Sequence, residues 1–244
     1  MLTGTAHLDQ LAILAPTMAS LDGEAVRFEA VEVLQAAFET SFAHRQDTLP
    51  PGLHPTTPPL LVLLAWKVPD GPLGPFAMVQ ARISCRSGVR PRGFVAAGVI
   101  DNEKAGAVLS SRFGLPAQPG TVRLVRQYDR VELAVAVNGR SALHLTGLDP
   151  DPLSAGDVQL SVTATLATTP RGLRLVQVEP EYELHRVERV RPRLLDFDAA
   201  AWGQPRLEPR QPVAGIVAVG AMTIPRLRYV SRPDVSAFEG TEKL

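Results

Sequence analysis

The chain has few side chains that could supply amine chemistry. Lys67, Lys104 and Lys243 are the only lysines among its 244 residues. A lysine amine attacks a carbonyl carbon only when it is uncharged, which requires burial or a neighbouring cation. Lys67 ends a strand-like segment, Lys104 follows the predicted start of a helix, and Lys243 lies near the polar end of the chain. All three are therefore expected to reach solvent.

The histidines and the cysteine lack the spacing of a metal site. The five histidines are never two or four residues apart, and Cys85 is the only cysteine. Zinc and iron sites usually show such local ligand pairs. We therefore expect no metal and no other cofactor, and Cys85 is expected to be a small core residue. The motifs G-x-S-x-G, Walker A, G-x-G-x-x-G and H-E-x-x-H do not occur.

Two charged segments are typical of exposed strands. Residues 185–193 are rich in arginine but contain no aromatic side chain on which a base could stack. Glu179, Glu181 and Glu183 repeat at the period of two that places them on one face of a strand. The formal net charge of zero also argues against a broad surface for nucleic acid or anionic membrane. We expect neither partner.

The elements that would position these side chains are mainly strands. With 45% hydrophobic and 20% charged residues, the chain can bury a large core. Residues 28–42 are predicted to form a helix, because Val31, Leu34 and Phe38 repeat at intervals of three and four. A proline-rich loop follows, and then a series of apolar segments separated by Gly and Pro clusters. These predicted strands are 60–67, 76–85, 93–100, 122–127, 131–137, 141–146, 158–167, 173–178, 182–190, 216–222 and 227–230.

Local signals define the second helix and one hairpin. Asp101 can accept the free N–H groups of a helix start, and Phe113-Gly114 is a typical helix end. Asn138-Gly139 favours a type I′ hairpin. About ten strands and two main helices without βαβ alternation predict an α+β fold, mainly antiparallel β and barrel-like. We expect one domain over residues 1–244, with a core at about 25–230 and a polar, frayed C-terminal tail at 231–244.

Seven short motifs follow one another in a specific order. They are Gly71-Pro72-Leu73-Gly74-Pro75-Phe76, Pro91-Arg92-Gly93-Phe94, Ile100-Asp101-Asn102-Glu103, Phe113-Gly114-Leu115-Pro116, Asn138-Gly139, Pro170-Arg171-Gly172 and Ile224-Pro225-Arg226. In this order and spacing the chain resembles the acetoacetate decarboxylase family over about residues 25–230. The resemblance implies a cone-like antiparallel β-barrel with an apolar pocket, often in homo-oligomers. A homo-oligomer is therefore expected here.

The chain departs from this family at the residues that carry the chemistry. In the family, two lysines follow the proline of the helix-ending turn, and the first forms a Schiff base with the keto group of the substrate. These positions are Ala117 and Gln118 here. The family's acidic residue after the Gly-rich turn falls within Phe76-Ala77-Met78. A methyl group and a carboxamide cannot form an imine, so no catalytic residue is assigned and the chain need not be an enzyme.

The departures predict a pocket without the family's imine chemistry. We interpret the chain as a protein that binds, or transforms without a Schiff base, a small hydrophobic carbonyl compound or carboxylate. Apolar side chains and one amide would line the pocket, an arginine would pair with a carboxylate, and Lys67 is the amine next to the Gly-rich turn. The candidate ligand-binding residues are Phe76, Met78, Ala117, Gln118, Arg27, Arg126 and Lys67.

Two other functions stay open. The chain is alternatively a lyase of the decarboxylase, aldolase-dehydratase or cyclase type, acting on a keto acid through relocated residues. Glu103, Glu132 or Lys67 would then face the pocket. A third interpretation is a structural or interaction protein whose barrel supplies an oligomer interface. A filled barrel centre without a cavity of roughly 300 Å³ would favour it.

The sequence predicts a soluble, cytoplasmic protein. The N-terminal apolar run has no basic segment before it, unlike a secretory signal. The longest apolar stretch, residues 60–66, is far shorter than the roughly 20 residues that a membrane helix needs. We therefore expect no membrane partner.

Overall fold

A computed structural model describes residues 2–244. Fifteen strands within these residues belong to one sheet, and most neighbouring strands are antiparallel. In chain order the elements are α1 (Leu8–Leu14), β1 (Val26–Glu39), α2 (Phe42–Thr48), β2 (His54–Pro55), β3 (Leu60–Val68), β4 (Phe76–Ser87), β5 (Arg90–Ile100), α3 (Glu103–Phe113), β6 (Gln118–Pro119), β7 (Thr121–Arg126), β8 (Arg130–Val137), β9 (Arg140–Pro152), β10 (Thr163–Thr169), β11 (Gly172–Val178), β12 (Glu181–Phe197), β13 (Pro212–Ile224), β14 (Tyr229–Ser231), α4 (Ala237–Gly240) and β15 (Thr241–Lys243).

The sheet curls back on itself without closing. Its strand order is β15-β14-β11-β10-β5-β4-β3-β1-β13-β12-β9-β8-β7, with β2 paired to β4 and β6 paired to β5. The last strand of this order, β7, lies beside β4 and β5 but forms no ladder with them. Only β10 and β6 run parallel to their neighbour β5. The fold is therefore an α+β architecture dominated by one antiparallel, cone-like sheet.

The two faces of the sheet bury two separate cores. Leu34, Leu63, Val79, Leu133 and Val217 come from five strands and form one buried cluster. Because strands from both ends of the curl contribute to this cluster, it fills the inside of the curl. A second cluster covers the opposite face, where α3 packs on the sheet. Its aromatic members are Phe28, Trp66, Phe76 and Phe113, and Met78 is completely buried in it.

The predicted helix at residues 28–42 is wrong, because this segment is the strand β1. It pairs with β13 on one side and β3 on the other. Val31, Val33, Leu34 and Phe38 are all buried, so apolar residues occupy both faces of the strand. A strand buried on both faces has no period of two, and some of its apolar residues then fall at helical spacing.

The second predicted helix is confirmed, but its cap is Asn102. The Asn102 side chain accepts hydrogen bonds from the backbone N–H groups of Lys104 and Ala105. Asp101 instead accepts from the Ala77 backbone N–H at 2.7 Å, which ties β4 to the start of α3. Gly114 ends the helix in the left-handed conformation, with φ of 67°. The predicted Asn138-Gly139 turn is also confirmed, since both residues have positive φ.

The C-terminal residues are paired, which corrects the expectation of a frayed tail. Thr241–Lys243 form β15 and pair with Tyr229–Ser231 of β14. Arg171 and Arg174 both bind Glu242, which fixes β15 to the hairpin β10–β11. Among residues 2–244, no helix has the length and apolar character needed to cross a membrane.

The buried thiol of Cys85 should make stability depend on pH. Burial raises its pKa from an ordinary 9.0 to about 12, against smaller opposing effects of the Phe94 backbone and the Arg92 charge. The unfolded chain therefore releases this proton first. The thiol's contribution to stability is complete below pH 9 and is lost as the pH rises towards 12.

We expect the free energy of unfolding to fall more steeply between pH 9 and 12 in the wild type than in Cys85→Ala. Urea denaturation of both proteins across this range measures the two slopes. Parallel slopes would show that the thiol makes no contribution to the pH dependence.

Candidate functional site

A partly open cavity lies beside Ala117 and Gln118, the two residues that follow Pro116. Its volume is about 360 Å³, and Ala117 and Gln118 form part of its wall. Leu11 and Leu14 of α1 lie on one side, and Phe94 of β5 lies on another. The loop at residues 202–204 completes the wall with Trp202. Phe94 and Trp202 also belong to the first core cluster, so the cavity lies directly against that core.

The turn after α3 is held firmly, which fixes Ala117 and Gln118 at the cavity. The Ser110 hydroxyl donates to the Leu115 carbonyl at 2.7 Å, and the Thr165 hydroxyl donates to the Gly114 carbonyl at 2.7 Å. Gln118 then pairs in parallel with Val99 of β5. These contacts join the end of α3 to β5 and β10.

The cavity wall contains no ionisable side chain. Its residues are apolar, apart from backbone groups and the polar side chains of Thr17, Thr48, Ser110, Gln118 and Gln204. The Gln118 Nε2 atom is buried and has no hydrogen-bond partner among the described residues. A buried amide N–H without an acceptor costs roughly 1–3 kcal/mol. One residue of this apolar, uncharged wall therefore carries a buried hydrogen-bond donor without a partner.

Lys67 and Phe76 lie at a different cleft. This cleft has a volume of about 790 Å³ and lies between β3, β4, β7 and the start of α3. Glu103 and Lys104 line it as well. Met78 lines neither cavity, since it is completely buried against Trp66 in the second core. Of the predicted residues, the structure thus brings Ala117 and Gln118 together at one cavity, and Lys67 and Phe76 at another.

Lys67 and Arg126 belong to a group of charged side chains at one end of the curl, which we call the end cluster. Its members are Glu32, Lys67, Arg126, Arg186 and Glu188. The Lys67 amine donates to the Leu124 carbonyl at 3.1 Å and lies 3.6 Å from the Glu32 carboxylate. Glu188 binds both Arg126 and Arg186. The Lys67 amine thus already has a backbone carbonyl and a carboxylate as neighbours.

Arg27 and Glu132 have partners on the surface. Arg27 donates to Glu183 at 2.6 Å and to Glu29 at 2.9 Å. Glu132 lies 3.0 Å from His144, across the β8–β9 pair. Neither Arg27 nor Glu132 lines the cavity beside Gln118.

A buried arginine is the least expected polar residue of the fold. Arg82 is fully buried, and its Nε and Nη2 donate to the Gln80 amide oxygen at 2.9 and 2.6 Å. Its Nη1 donates to the Ser161 carbonyl. Burial lowers the pKa of this guanidinium to about 10, with a smaller opposing effect of Tyr182. Burial likewise raises the pKa of Tyr182 to about 12, and the Trp66 indole donates to its hydroxyl at 3.0 Å.

No group of three or more His, Cys, Asp or Glu side chains within residues 2–244 is arranged to hold a metal ion. The cavity wall can contact a ligand through apolar side chains and through hydrogen bonds. It offers no amine, no thiol and no ionisable side chain.

The fold and this site define a class of protein, and comparison with known proteins agrees. The family model for acetoacetate decarboxylase (ADC) matches residues 14–189. The chain belongs to the acetoacetate decarboxylase family. Among curated proteins, no sequence matches this chain.

Solved structures show the same fold at low sequence identity. One described as structural studies of acetoacetate decarboxylase has a TM-score of 0.76 and 18% identity, covering 84% of this chain and 88% of that one. The acetoacetate decarboxylase of Legionella pneumophila has a TM-score of 0.73 and 18% identity, covering 88% of each chain. The enduracididine biosynthesis enzyme MppR, complexed with pyruvate, has a TM-score of 0.69 and 19% identity, covering 84% of this chain and 90% of that one.

Part of the cavity wall could not be found from sequence patterns. Leu11 and Leu14 lie in a seven-residue helix, and Trp202 lies in a loop distant in sequence. Ser110 and Phe94 belong to elements that were predicted, but nothing in their spacing points to a cavity. The one signal in the sequence was the family turn, which located Ala117 and Gln118.

Proposed function

We propose that this protein binds a small, neutral, apolar carbonyl compound without a covalent bond, in the cavity beside Ala117 and Gln118. The absence of ionisable side chains from the cavity wall carries this proposal. A carboxylate would lose its hydration in this cavity and find no cation, at a cost of several kcal/mol. A ketone or similar group loses little on entering such a cavity.

The unpartnered amide of Gln118 supports a carbonyl as the polar group of the ligand. Its Nε2 atom can donate a hydrogen bond, and a carbonyl oxygen is an acceptor that needs no proton of its own. The volume of about 360 Å³ lies in the range of small-molecule sites, roughly 300–1,000 Å³. A single oriented polar contact in an apolar wall is typical of such sites.

The lysines of the chain support non-covalent binding. None of the three lines this cavity. Lys67 lies at the cleft and donates to Leu124. Lys104 is exposed in the first turn of α3, and Lys243 is exposed in β15. The cavity wall therefore contains no lysine amine that could form an imine with a ligand.

Calorimetric titration with matched ligands tests this function. We expect branched and cyclic ketones to bind, and carboxylates of the same carbon skeleton not to bind at neutral pH. If every ketone fails to bind, or if the carboxylates bind more tightly, the proposed function is wrong.

Replacement of Gln118 by leucine should weaken ketone binding about tenfold. One lost hydrogen bond corresponds to about 1–1.5 kcal/mol, and a factor of ten corresponds to about 1.4 kcal/mol. The same titration measures the dissociation constant. Gln127→Leu is the matched control, since Gln127 is exposed and outside the cavity. Equal weakening in both variants would contradict a specific role for Gln118.

A lyase is the second candidate, and one observation favours it. The cleft of about 790 Å³ brings Lys67 and Glu103 to the same site. Glu103 would act as acid or base and Lys67 as the relocated amine. Turnover of a 2-keto or 3-keto acid that is lost in Lys67→Met, but kept in Lys104→Met, would support this candidate. No turnover across a panel of such acids would exclude it.

The structural interpretation receives mixed support. The centre of the curled sheet is filled by side chains, as this interpretation requires. The cavity of about 360 Å³ is larger than this interpretation allows. We therefore place ligand binding first.

A further inference from the structure

The helix α1 forms one side of the cavity and is held loosely. None of its seven residues is buried, and the His7 side chain makes no capping hydrogen bond at its start. Among the described residues, no hydrogen bond joins residues 7–15 to the rest of the chain. Isolated helices of fewer than about 12–15 residues are marginally stable in water. The helix therefore depends on the contacts that its side chains make with the rest of the protein.

The chain on both sides of α1 is fixed by backbone hydrogen bonds. The N–H groups of residues 4–6 donate to carbonyls within residues 46–53 at 2.9–3.0 Å. Met18 donates to the Thr168 carbonyl at 2.8 Å, and the Thr168 N–H donates to the Pro16 carbonyl at 2.9 Å. We call these two fixed segments the anchors. The chain between the anchors can move without breaking a hydrogen bond to the sheet or to α2.

Empty space adjoins α1 on more than one side. Leu11 and Leu14 line the cavity of about 360 Å³. They also line a second pocket of about 240 Å³, together with His7 and Gln10. From this part of the chain, Leu11 and Ala15 pack against the first core cluster. Since empty space supplies no contacts, few atoms hold α1 in its place.

An apolar ligand would add contacts to α1. Leu14 lines the cavity and yet is 59% exposed. A ligand in the cavity would cover Leu11 and Leu14, and the burial of apolar surface would hold α1 against it. In the free protein, by contrast, segments with few buried apolar contacts open at a low free energy. The ligand thus favours the closed position of α1.

We propose that α1 is a lid, which opens to admit the ligand and closes over it. This inference rests on the proposed function and concerns how the same cavity is filled. Residues 7–15 move between the two anchors, and closure excludes water from the bound ligand. A helix of seven residues does not persist once it is detached from the cavity, so opening and unfolding of α1 are one step. A change that weakens the helix therefore weakens binding without touching the ligand.

Two substitutions at Ile13 test the lid. This side chain is 81% exposed and lines neither the cavity nor the second pocket. Glycine weakens a helix relative to alanine by an amount that corresponds to about a fivefold change in an equilibrium constant. We expect adamantanone, a rigid cyclic ketone, to bind about fivefold more weakly to Ile13→Gly than to the matched control Ile13→Ala. Calorimetric titration measures both dissociation constants.

The outcomes separate the lid from the proposed function. Equal binding of adamantanone by the two Ile13 variants would overturn the lid and leave ketone binding intact. Failure of every ketone to bind the wild type would overturn the proposed function and the lid with it. Ala107→Gly makes the same kind of change at an exposed position of α3, outside the cavity and the second pocket. It should bind adamantanone as the wild type does, and weakening by the same factor would also overturn the lid.

Hydrogen exchange locates the motion. In the free protein, we expect the backbone amides of residues 11–14 to exchange at least about tenfold faster than those of residues 4–6. A saturating concentration of adamantanone should slow the exchange of residues 11–14 at least about tenfold. Exchange in α1 that the bound ketone leaves unchanged would contradict the lid. Exchange in the free protein as slow as that of residues 4–6 would contradict it as well.

Discussion

Replacing Gly98 by alanine is expected to destabilise the protein by about 3 kcal/mol and to displace the wall of the cavity. A Cβ at this position would overlap the Pro116 carbonyl oxygen and would lie 3.3 Å from the Met78 methyl carbon. The carbonyl belongs to the backbone of the turn that carries Ala117 and Gln118. It can move only if the turn separates from β5, which breaks the pairing of Gln118 with Val99.

Urea denaturation of Gly98→Ala measures this loss, and ketone titration measures its effect on the cavity. Gly156→Ala is the matched control, because a Cβ there meets only the Ser154 hydroxyl oxygen at 3.8 Å. The control should lie within about 0.5 kcal/mol of the wild type. A Gly98→Ala protein as stable as the control would show that the turn does not lie against β5.

Replacing Arg82 by alanine is expected to cost about 3 kcal/mol. The change removes all the hydrogen bonds that Arg82 donates to Gln80 and Ser161. The two orphaned acceptors and the cavity left behind outweigh the relief of no longer burying a charge. The Ser161 segment is also held by Gln35, whose amide oxygen accepts from the Ser161 N–H at 2.8 Å.

Arg193→Ala is the control for this substitution, since the Arg193 side chain is exposed. Thermal and urea unfolding of both variants give the comparison, and the control should stay within about 0.5 kcal/mol of the wild type. If Arg82→Ala is as stable as Arg193→Ala, the buried guanidinium makes no net contribution.

Most strands, the existence of α3 and its C-terminal end followed from local chemistry in the sequence. Gly114 and the Asn138-Gly139 turn have the positive φ angles that their residue types predict. The strand β1 did not follow, because its apolar residues face two cores and lose the period of two. The cap at Asn102 was missed because Asp101, one residue earlier, is equally suited to cap a helix. In the structure, the Asp101 carboxylate instead accepts a hydrogen bond from the Ala77 backbone N–H.

The site was predictable only where the family turn marked it. Ala117 and Gln118 lie at the cavity, as their position after the turn suggests. The remaining wall comes from α1, β5 and a loop at residue 202, which are far apart in sequence. The sequence around Arg82 does not distinguish it from an exposed strand arginine, and its burial is evident only from the packing of the sheet. The homo-oligomer and the cytoplasmic location stay predictions.

The packing around Met78 and Ala117 agrees with the proposed binding without an imine. Met78 is completely buried in the second core. A Cβ at Gly106 of α3 would lie 3.5 Å from the Ala117 methyl group, so α3 packs closely on this turn. Met78 thus contributes to packing, and Ala117 contributes to the wall of an uncharged cavity.

Trapping with borohydride tests the central claim most directly. The protein is incubated with acetoacetate, and separately with a neutral ketone that binds by calorimetry, and each sample is treated with sodium borohydride. We predict that the intact mass stays that of the unmodified chain in both samples. A stable reduced adduct on Lys67, or on either other lysine, would contradict non-covalent binding and restore imine chemistry to this protein.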